Sequence, residues 1–200
     1  MSGAVFGLIG VVIGSLLNWF REMLTDLRTR SRHAHYLAIR VVCVLDKYVE
    51  NCAEVVNDDG LDHGQRDEQG YLQVQVETPD VPAFPSDLDW KSIDHSLMYR
   101  IFSMPNEAEA ADSKISFVWD YIAGPPDFEE YFEERQDQYA RLGLAASGIT
   151  QELRRKYGIP SRDFGDWNPI ERLTKAKQQV EGDRLKRAER SAASPLLTGK

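Results

Sequence analysis

Residues 128–157 read FEEYFEERQDQYARLGLAASGITQELRRKY, the most regular helical pattern in this 200-residue chain. Eight positions, all but one of them apolar or aromatic, recur at steps of four and three, which places them on one face of an α-helix. The face comprises Phe128, Phe132, Arg135, Tyr139, Leu142, Ala146, Ile149 and Leu153. Asp127 with Glu130 predicts a capped start, and Gly158 followed by Pro160 predicts a stop. The stretch therefore predicts a long helix with one buried face.

One member of this face is charged. Arg135 lies between Phe132 and Tyr139, at the spacing of buried residues. An arginine there either pairs with a carboxylate of a neighbouring helix, such as Asp112 or Asp120, or extends its guanidinium to solvent. The sequence leaves both interpretations open.

Two earlier stretches carry the same four-three pattern. The first comprises Leu37, Val41, Val44, Tyr48, Cys52 and Val55, and the second Leu97, Ile101, Met104, Ala108, Ala111, Ile115, Val118 and Ile122. Pro105 lies inside the second and predicts a kink or a new helix start. Residues 166–190 have few apolar positions and predict a basic helix at the surface. The predicted fold class is all-α: an antiparallel bundle of three main helices with a peripheral basic C-terminal helix.

Residues 57–90, between the first two patterns, are polar and Pro-rich and predict a loop. Tyr71, Val74 and Val76 alternate with polar residues, which favours a short extended segment or hairpin. The acidic residues 57–63 superficially resemble a calcium loop, but they lack its ligand spacing and its closing Glu. We interpret them as a solvated acidic turn.

The strongest signal outside the bundle is the uncharged run AVFGLIGVVIGSLLNWF at residues 4–20. As a helix it measures about 25 Å, the short end of what crosses a bilayer core. Residues 1–24 are therefore predicted to be a single-pass transmembrane anchor. No Pro or Gly interrupts residues 15–59, so the anchor is predicted to continue into the bundle. A buried core helix and a cleaved signal peptide are the alternatives, and the latter lacks a basic n-region and a cleavage site.

Aromatic and basic residues follow the predicted anchor, as is typical of a membrane interface. The interface residues are Trp19, Phe20, Arg21, Arg28, Arg30 and Arg32. Because basic side chains are retained on the cytoplasmic side, the predicted topology has a short N-terminus outside and a cytoplasmic C-terminal domain, residues 25–165. Basic residues also attract anionic headgroups, so membrane lipid is a predicted partner.

Small residues repeat along the predicted anchor. Gly3, Gly7, Gly10 and Gly14 form two pairs with three residues between their members. Such pairs let membrane helices approach closely. They predict helix packing and a homo-oligomer formed through the transmembrane segment.

The two cysteines, Cys43 and Cys52, lie nine residues apart on a predicted helix. They are then about 13 Å apart on opposite faces, too far for a disulfide. We interpret both as buried structural thiols, in keeping with a reducing compartment.

Charge is segregated along the chain, whose net charge is −8. Residues 1–40 carry five basic and two acidic side chains, and residues 171–200 carry eight and four. The middle, 41–170, carries 11 basic and 26 acidic side chains. This acidic body argues against nucleic acid as a partner. Residues 191–200 are predicted to form a disordered tail.

The sequence contains no familiar catalytic or metal-binding arrangement. A di-metal site in a helical bundle needs Glu three residues before a His, and none of the four histidines has one. A phosphate loop, a nucleophile elbow and a Cys-x-x-Cys pair are also absent from the sequence. We therefore expect no cofactor and no metal, and the balance favours a protein that is not an enzyme.

An acidic stretch with an aromatic residue off the buried face is a candidate partner surface. Its residues are Glu129, Glu130, Tyr131, Glu133 and Glu134. The leading hypothesis is a membrane-tethered, non-enzymatic interaction protein that presents an acidic helical bundle to a protein partner. The alternatives are an oligomerising membrane effector that perturbs the bilayer through its Gly-rich span, and an enzyme with an unrecognised site in the bundle.

Overall fold

A computed structural model describes the backbone of residues 2–193, with side chains from Gly14 to Arg190 and at Ala192. The helices are α1 (Ser2–Val56), α2 (His95–Tyr121), α3 (Glu129–Tyr157) and α4 (Pro169–Ala193), with one turn of 3₁₀ helix at Trp90–Ser92. The predicted all-α class is confirmed. In the part of the chain described, the loop between α1 and α2 forms no strand, and it contains one isolated bridge between Asp62 and Gln65.

α1 is one uninterrupted helix of 55 residues, about 80 Å long. Every described side chain from Gly14 to His33 is exposed, and the core begins at Ala34. α1 therefore has two parts: an N-terminal part that extends past the bundle and a C-terminal part, from Ala34 to Val56, that is packed within it.

α3 is the central helix and packs against the other three. It runs antiparallel to α1, because Arg154 near its end bonds to Asp46 while Gly143 faces Cys52 further along α1. The largest completely buried apolar residues are Leu37, Val41, Leu45, Val55, Leu97, Ile101, Met104, Tyr139, Leu153 and Leu173. Most residues of the predicted faces of the three main helices thus form one core, but Ile122, the last residue of the second predicted face, is 54% exposed.

α2 also packs against α3 and runs antiparallel to it. Arg100 bonds to Glu152 at one end, and Tyr139 of α3 bonds to Asp112 of α2 further along. α2 continues through Pro105 without ending there. The six residues of its predicted face from Leu97 to Ile115 are buried.

α4 packs more closely than its sparse apolar pattern predicts. Leu173 is fully buried and Val180 is 3% exposed. Leu173 fits against Gly143, where an added Cβ would lie 2.7 Å from Leu173 Cδ1 and 3.0 Å from Cys52 Cβ. The bundle therefore has a fourth packed helix along α3 and α1. Residues 194–200 of the predicted tail lie outside the described part.

The two ends of α3 differ in how well the neighbouring residues predict them. α3 ends at Gly158 in the left-handed conformation (φ 65°), as predicted. Its start differs, because the N-cap is Phe128 at φ 48° with no side-chain cap, while the Asp127 carboxylate binds Arg66 instead. The prediction of Asp127 as the cap is wrong.

The prediction that both cysteines are buried is also wrong for one of them. Cys52 is fully buried, but Cys43 is exposed on the outer side of α1. The buried stripe shifts by one position in this turn, so Leu45 is buried more completely than the predicted Val44.

Among the described residues, no helix includes a stretch long and apolar enough to cross a membrane. Gly3, Gly7 and Gly10 of the predicted packing pairs lie outside the residues whose side chains are described. Gly14 is described, and no other group lies within 4 Å of the position a Cβ would occupy there.

Candidate functional site

The loop between α1 and α2 is fixed to the bundle by a buried ion pair. Arg135 Nη1 donates to Asp58 Oδ2 at 2.7 Å, and both side chains are at most 2% exposed. Asp58 also accepts the backbone N–H groups of Gly60, Gln75 and Val76, each at 3.0 Å. Arg135 donates a second bond to the Val76 carbonyl. These contacts join residues 75–76 and the end of α1 to the first part of α3.

The predicted partners of Arg135 are therefore wrong. The predicted solvated turn is wrong for Asp58, which is buried, whereas Asp59 and Asp62 are exposed as predicted. Asp58 is 4% exposed and is the arginine's partner. Asp112 instead accepts a 2.5 Å hydrogen bond from the Tyr139 hydroxyl. Burial and this carboxylate raise the pKa of Tyr139, which keeps the phenol protonated as the donor.

Next to the fixed loop, aromatic side chains form a cleft at the α2–α3 turn. Trp119 stacks on Phe128 with ring centroids 4.9 Å apart and meets Tyr131 edge-on at 5.0 Å. Tyr71 approaches Phe128 at 6.2 Å. The cavity between them has a volume of about 390 Å³. This aromatic cleft is lined by Asp67, Tyr71, Leu72, Gln73, Val74, Trp119, Phe128, Tyr131 and Phe132.

The loop side of the aromatic cleft is held by backbone hydrogen bonds. Leu72 N donates to the Pro126 carbonyl at 3.2 Å, and Gln73 N donates to the Gly60 carbonyl at 2.9 Å. Gly60 has φ 74°, and a Cβ there would lie 2.6 Å from the Phe132 ring. A glycine is thus required both by the backbone conformation and by the closeness of the ring.

Several cleft residues remain open to solvent. Trp119 is 48% exposed, Val74 42% and Tyr71 39%. Tyr131, predicted as an exposed aromatic of the acidic face, is half-buried between Trp119 and Phe132. Burial raises the pKa of Tyr131. Tyr131 is thus one wall of the cleft.

Two of the four glutamates of the predicted acidic surface form ion pairs within the molecule. Arg184 of α4 donates to Glu133 at 2.7 Å, to Glu134 at 2.9 Å and to Asp137 at 2.7 Å. Arg187 also pairs with Glu133. The structure brings Glu133 and Glu134 together with α4, whereas Glu129 and Glu130 stay exposed beside the cleft.

A set of five carboxylates belongs to the lining of the aromatic cleft or to the residues next to that lining in the chain. We call this set the acidic rim; its members are Asp67, Glu68, Asp120, Glu129 and Glu130. None has a cationic partner within 4.0 Å among the described residues. The N–H of Tyr71, a hydrogen bond from Gln73 and neighbouring backbone N–H groups lower the pKa of Asp67. Asp67 is therefore held in its ionised form at neutral pH.

An adjoining cavity of about 330 Å³ shares the walls Leu72 and Phe132 with the cleft. Its lining holds five carboxylates and no basic side chain: Asp59, Asp127, Glu129, Glu133 and Asp183. Three of them pair with basic residues outside the lining, which leaves Asp59 and Glu129 without a cation among the described residues.

The predicted membrane-interface residues lie apart from the cleft, on the extending part of α1. Trp19 is 60% exposed and Phe20 54%, and Arg21, Arg28 and Arg32 are exposed as well. Arg30 donates to the Lys91 carbonyl at 3.1 Å, where the extending part meets the bundle. Within the described residues, no group of three or more His, Cys, Asp or Glu is placed to hold a metal ion.

No family model matches the chain, and neither a curated protein nor a solved structure shows significant similarity to it. The aromatic cleft was not predicted from the sequence. The alternation of Tyr71 and Val74 with polar residues was the available signal, but its partners Trp119 and Phe128 come from distant parts of the chain.

Proposed function

We propose that the chain is a membrane-tethered, non-enzymatic interaction protein whose helical bundle serves a protein partner on the cytoplasmic side. The observation that carries this proposal is the extending part of α1. Seven large apolar side chains are exposed there at 40–67%: Leu16, Leu17, Trp19, Phe20, Met23, Leu24 and Leu27.

The exposed apolar side chains of the extending part would gain a large free energy on burial. Full burial of a large apolar side chain is worth about 1.5–3 kcal/mol. Seven such side chains represent about 10–20 kcal/mol as an upper bound. A continuous apolar patch on a helix indicates an interaction with a membrane or a partner. The apolar residues 4–13 that precede it in the sequence favour a membrane.

The charges that follow support the same assignment. Arg21 lies at the edge of a leaflet entered by residues 4–20, and Arg28, Arg30 and Arg32 follow about 12–18 Å further along the helix, which is one to two Debye lengths. Each basic residue near an anionic surface contributes about 1 kcal/mol of attraction. The acidic body, by contrast, is repelled by such a leaflet, which orients the bundle away from the membrane.

Flotation of the full chain with lipid vesicles tests the tether. We expect the wild-type chain to float with the vesicles and the triple variant Leu16→Gln, Leu17→Gln, Phe20→Gln to stay in the dense fraction, since its apolar stripe is interrupted. The matched control is Tyr99→Gln, which changes an exposed aromatic residue of the bundle. Equal flotation of the wild type and the triple variant would show that this stripe is not the tether.

Photo-crosslinking in native membranes tests the partner. A photoreactive residue at Glu130, beside the cleft, is expected to yield a discrete adduct. The same residue at Glu107, which is exposed on α2, is the control. Identical adduct patterns at both positions would contradict a specific partner surface at this end of the bundle.

A further inference from the structure

We infer that the aromatic cleft with its acidic rim binds a basic segment of a protein partner, one that inserts a large apolar side chain and surrounds it with Lys or Arg. This inference rests on the proposed function and specifies the chemistry of the partner. It goes beyond a generally acidic surface, because it locates the binding energy in the rings and the selectivity in the rim.

The cleft has the size and the fixed walls that are needed to bind a side chain. Its volume of about 390 Å³ is within the range of ligand pockets. The loop wall is anchored by Asp58 and Arg135 and by the bond from Leu72 to Pro126, so the cleft exists before any partner arrives. Trp and Tyr are the residues in which binding energy is most often concentrated. Here Trp119 and Tyr71 offer partly exposed rings to such a contact.

The charge around the cleft determines which partner fits. All five members of the acidic rim lack a cationic partner among the described residues, whereas Arg66, the basic residue adjoining the lining, is already paired with Asp127. A basic segment would supply the missing cations, and its charge would also accelerate association. A cationic side chain over an aromatic face is favourable as well.

The same charges disfavour the other occupants of an apolar cleft. A second copy of this chain would bring its own acidic rim against the first, and like charges in contact repel. An anionic membrane surface would be repelled in the same way. A basic peptide with a large apolar side chain is the occupant that packs against the aromatic rings and also pairs with the carboxylates of the acidic rim.

The position of the cleft suits a partner that arrives from the side opposite the tether. Asp58, next to the end of α1, contacts Arg135 in the first part of α3. The cleft therefore lies at the C-terminal end of α1, about 33 Å along the helix from Ala34, where the extending part begins. A tethered chain would present the cleft away from the bilayer.

Fluorescence anisotropy with the full chain in nanodiscs of neutral phosphatidylcholine tests the inference. The probe is a labelled peptide of sequence Lys-Arg-Trp-Leu-Lys-Arg-Phe-Lys. One control peptide replaces every Lys and Arg with Glu, and another replaces Trp, Leu and Phe with Ser. Empty nanodiscs give the background. We expect the probe to bind the chain and both control peptides to bind at least about tenfold more weakly.

Paired variants locate the binding. Trp119→Ala and the double variant Glu129→Gln, Glu130→Gln are each expected to weaken probe binding about five- to tenfold. Tyr99→Ala and Glu107→Gln, Glu109→Gln change exposed residues elsewhere on α2 and should leave it unchanged. The Glu→Gln pairs remove only exposed carboxylates, so they preserve the fold even if Trp119→Ala does not.

Three results would overturn the inference: binding of the Glu peptide equal to that of the probe, equal losses in the cleft and control variants, or a dimer that Trp119→Ala dissociates. Failure of the proposed function gives a different result. A chain that does not float with vesicles, but that binds the probe through the cleft when it is assayed without nanodiscs, would refute the tether alone. A tethered chain whose partner crosslinks at Glu130 but is not displaced by the probe would refute the basic-segment inference alone.

Discussion

Asp58 and Arg135 show how one buried pair connects distant parts of the chain. The two residues are 77 positions apart, and together they satisfy backbone groups of the loop that an apolar pair would leave unbonded. Removing one partner of a buried pair leaves the other charge without compensation. The pair therefore controls the loop wall of the cleft as well as stability.

Replacing Asp58 with Asn is expected to lower the free energy of unfolding by about 3–5 kcal/mol, because Arg135 stays buried without a counter-charge. Urea denaturation followed by circular dichroism measures the change. The control is Asp87→Asn, which removes an ion pair from an exposed site, where Asp87 is 65% exposed. We expect no measurable change there. Similar stabilities for both variants would mean that the buried pair contributes little.

Gly143 is the second residue whose role can be tested directly. A Cβ at this position would lie 2.7 Å from Leu173 and 3.0 Å from Cys52, within the contact of three helices. Gly143→Ala is therefore expected to destabilise the bundle by about 1–3 kcal/mol through overpacking.

The matched control for Gly143 is Gly182→Ala, in α4, where no other group lies within 4 Å of the added Cβ. Alanine is the better helix former by about 1 kcal/mol, so this variant is expected to be more stable than the wild type. The two substitutions should thus change the urea midpoint in opposite directions. A midpoint raised by both would show that α4 does not press against Gly143.

At the scale of elements, the features that depend on neighbouring residues could be predicted from the sequence. The features that depend on contacts between distant residues could not. The stop at Gly158 depends on a few neighbouring residues, and it was predicted correctly. Asp127 looked like a cap, but Arg66 from the loop competes for its carboxylate. The helices and their faces therefore follow from periodicity, whereas the cleft depends on which loop residues meet Trp119 and Phe128.

α4 gives the clearest element-scale prediction, since its second half is held mainly by charge. Arg184 bonds to Glu133, Glu134 and Asp137, while Leu185 is 63% exposed. Arg184→Gln is expected to increase hydrogen exchange of the amides in residues 181–190, because three ion pairs that dock this half are lost and only the pair between Arg187 and Glu133 remains.

The control for Arg184 is Lys177→Gln, which removes an exposed ion pair within α4 itself. We expect exchange in residues 181–190 to stay at the wild-type rate in that variant. Unchanged exchange in Arg184→Gln would mean that apolar contacts such as Val180 hold the helix without the arginine.

The whole molecule is organised as two ends with different chemistry, joined by α1. The extending part carries exposed apolar and basic side chains, and the aromatic cleft with its acidic rim lies at the other end. Because Ala34 is the first buried residue among the described side chains of α1, the two ends share no described core contact. Tethering and partner binding should therefore be separable.

A chain shortened to residues 25–200 tests that separation. It loses no buried residue among those described, so its thermal midpoint should stay close to that of the full chain, within the change produced by about 0.5 kcal/mol. It should fail to float with vesicles, yet bind the basic probe peptide with the affinity of the full chain. A markedly lower midpoint would instead show that residues 1–24 contribute to the core. A normal midpoint with lost probe binding would show that the two ends of the molecule are coupled through α1.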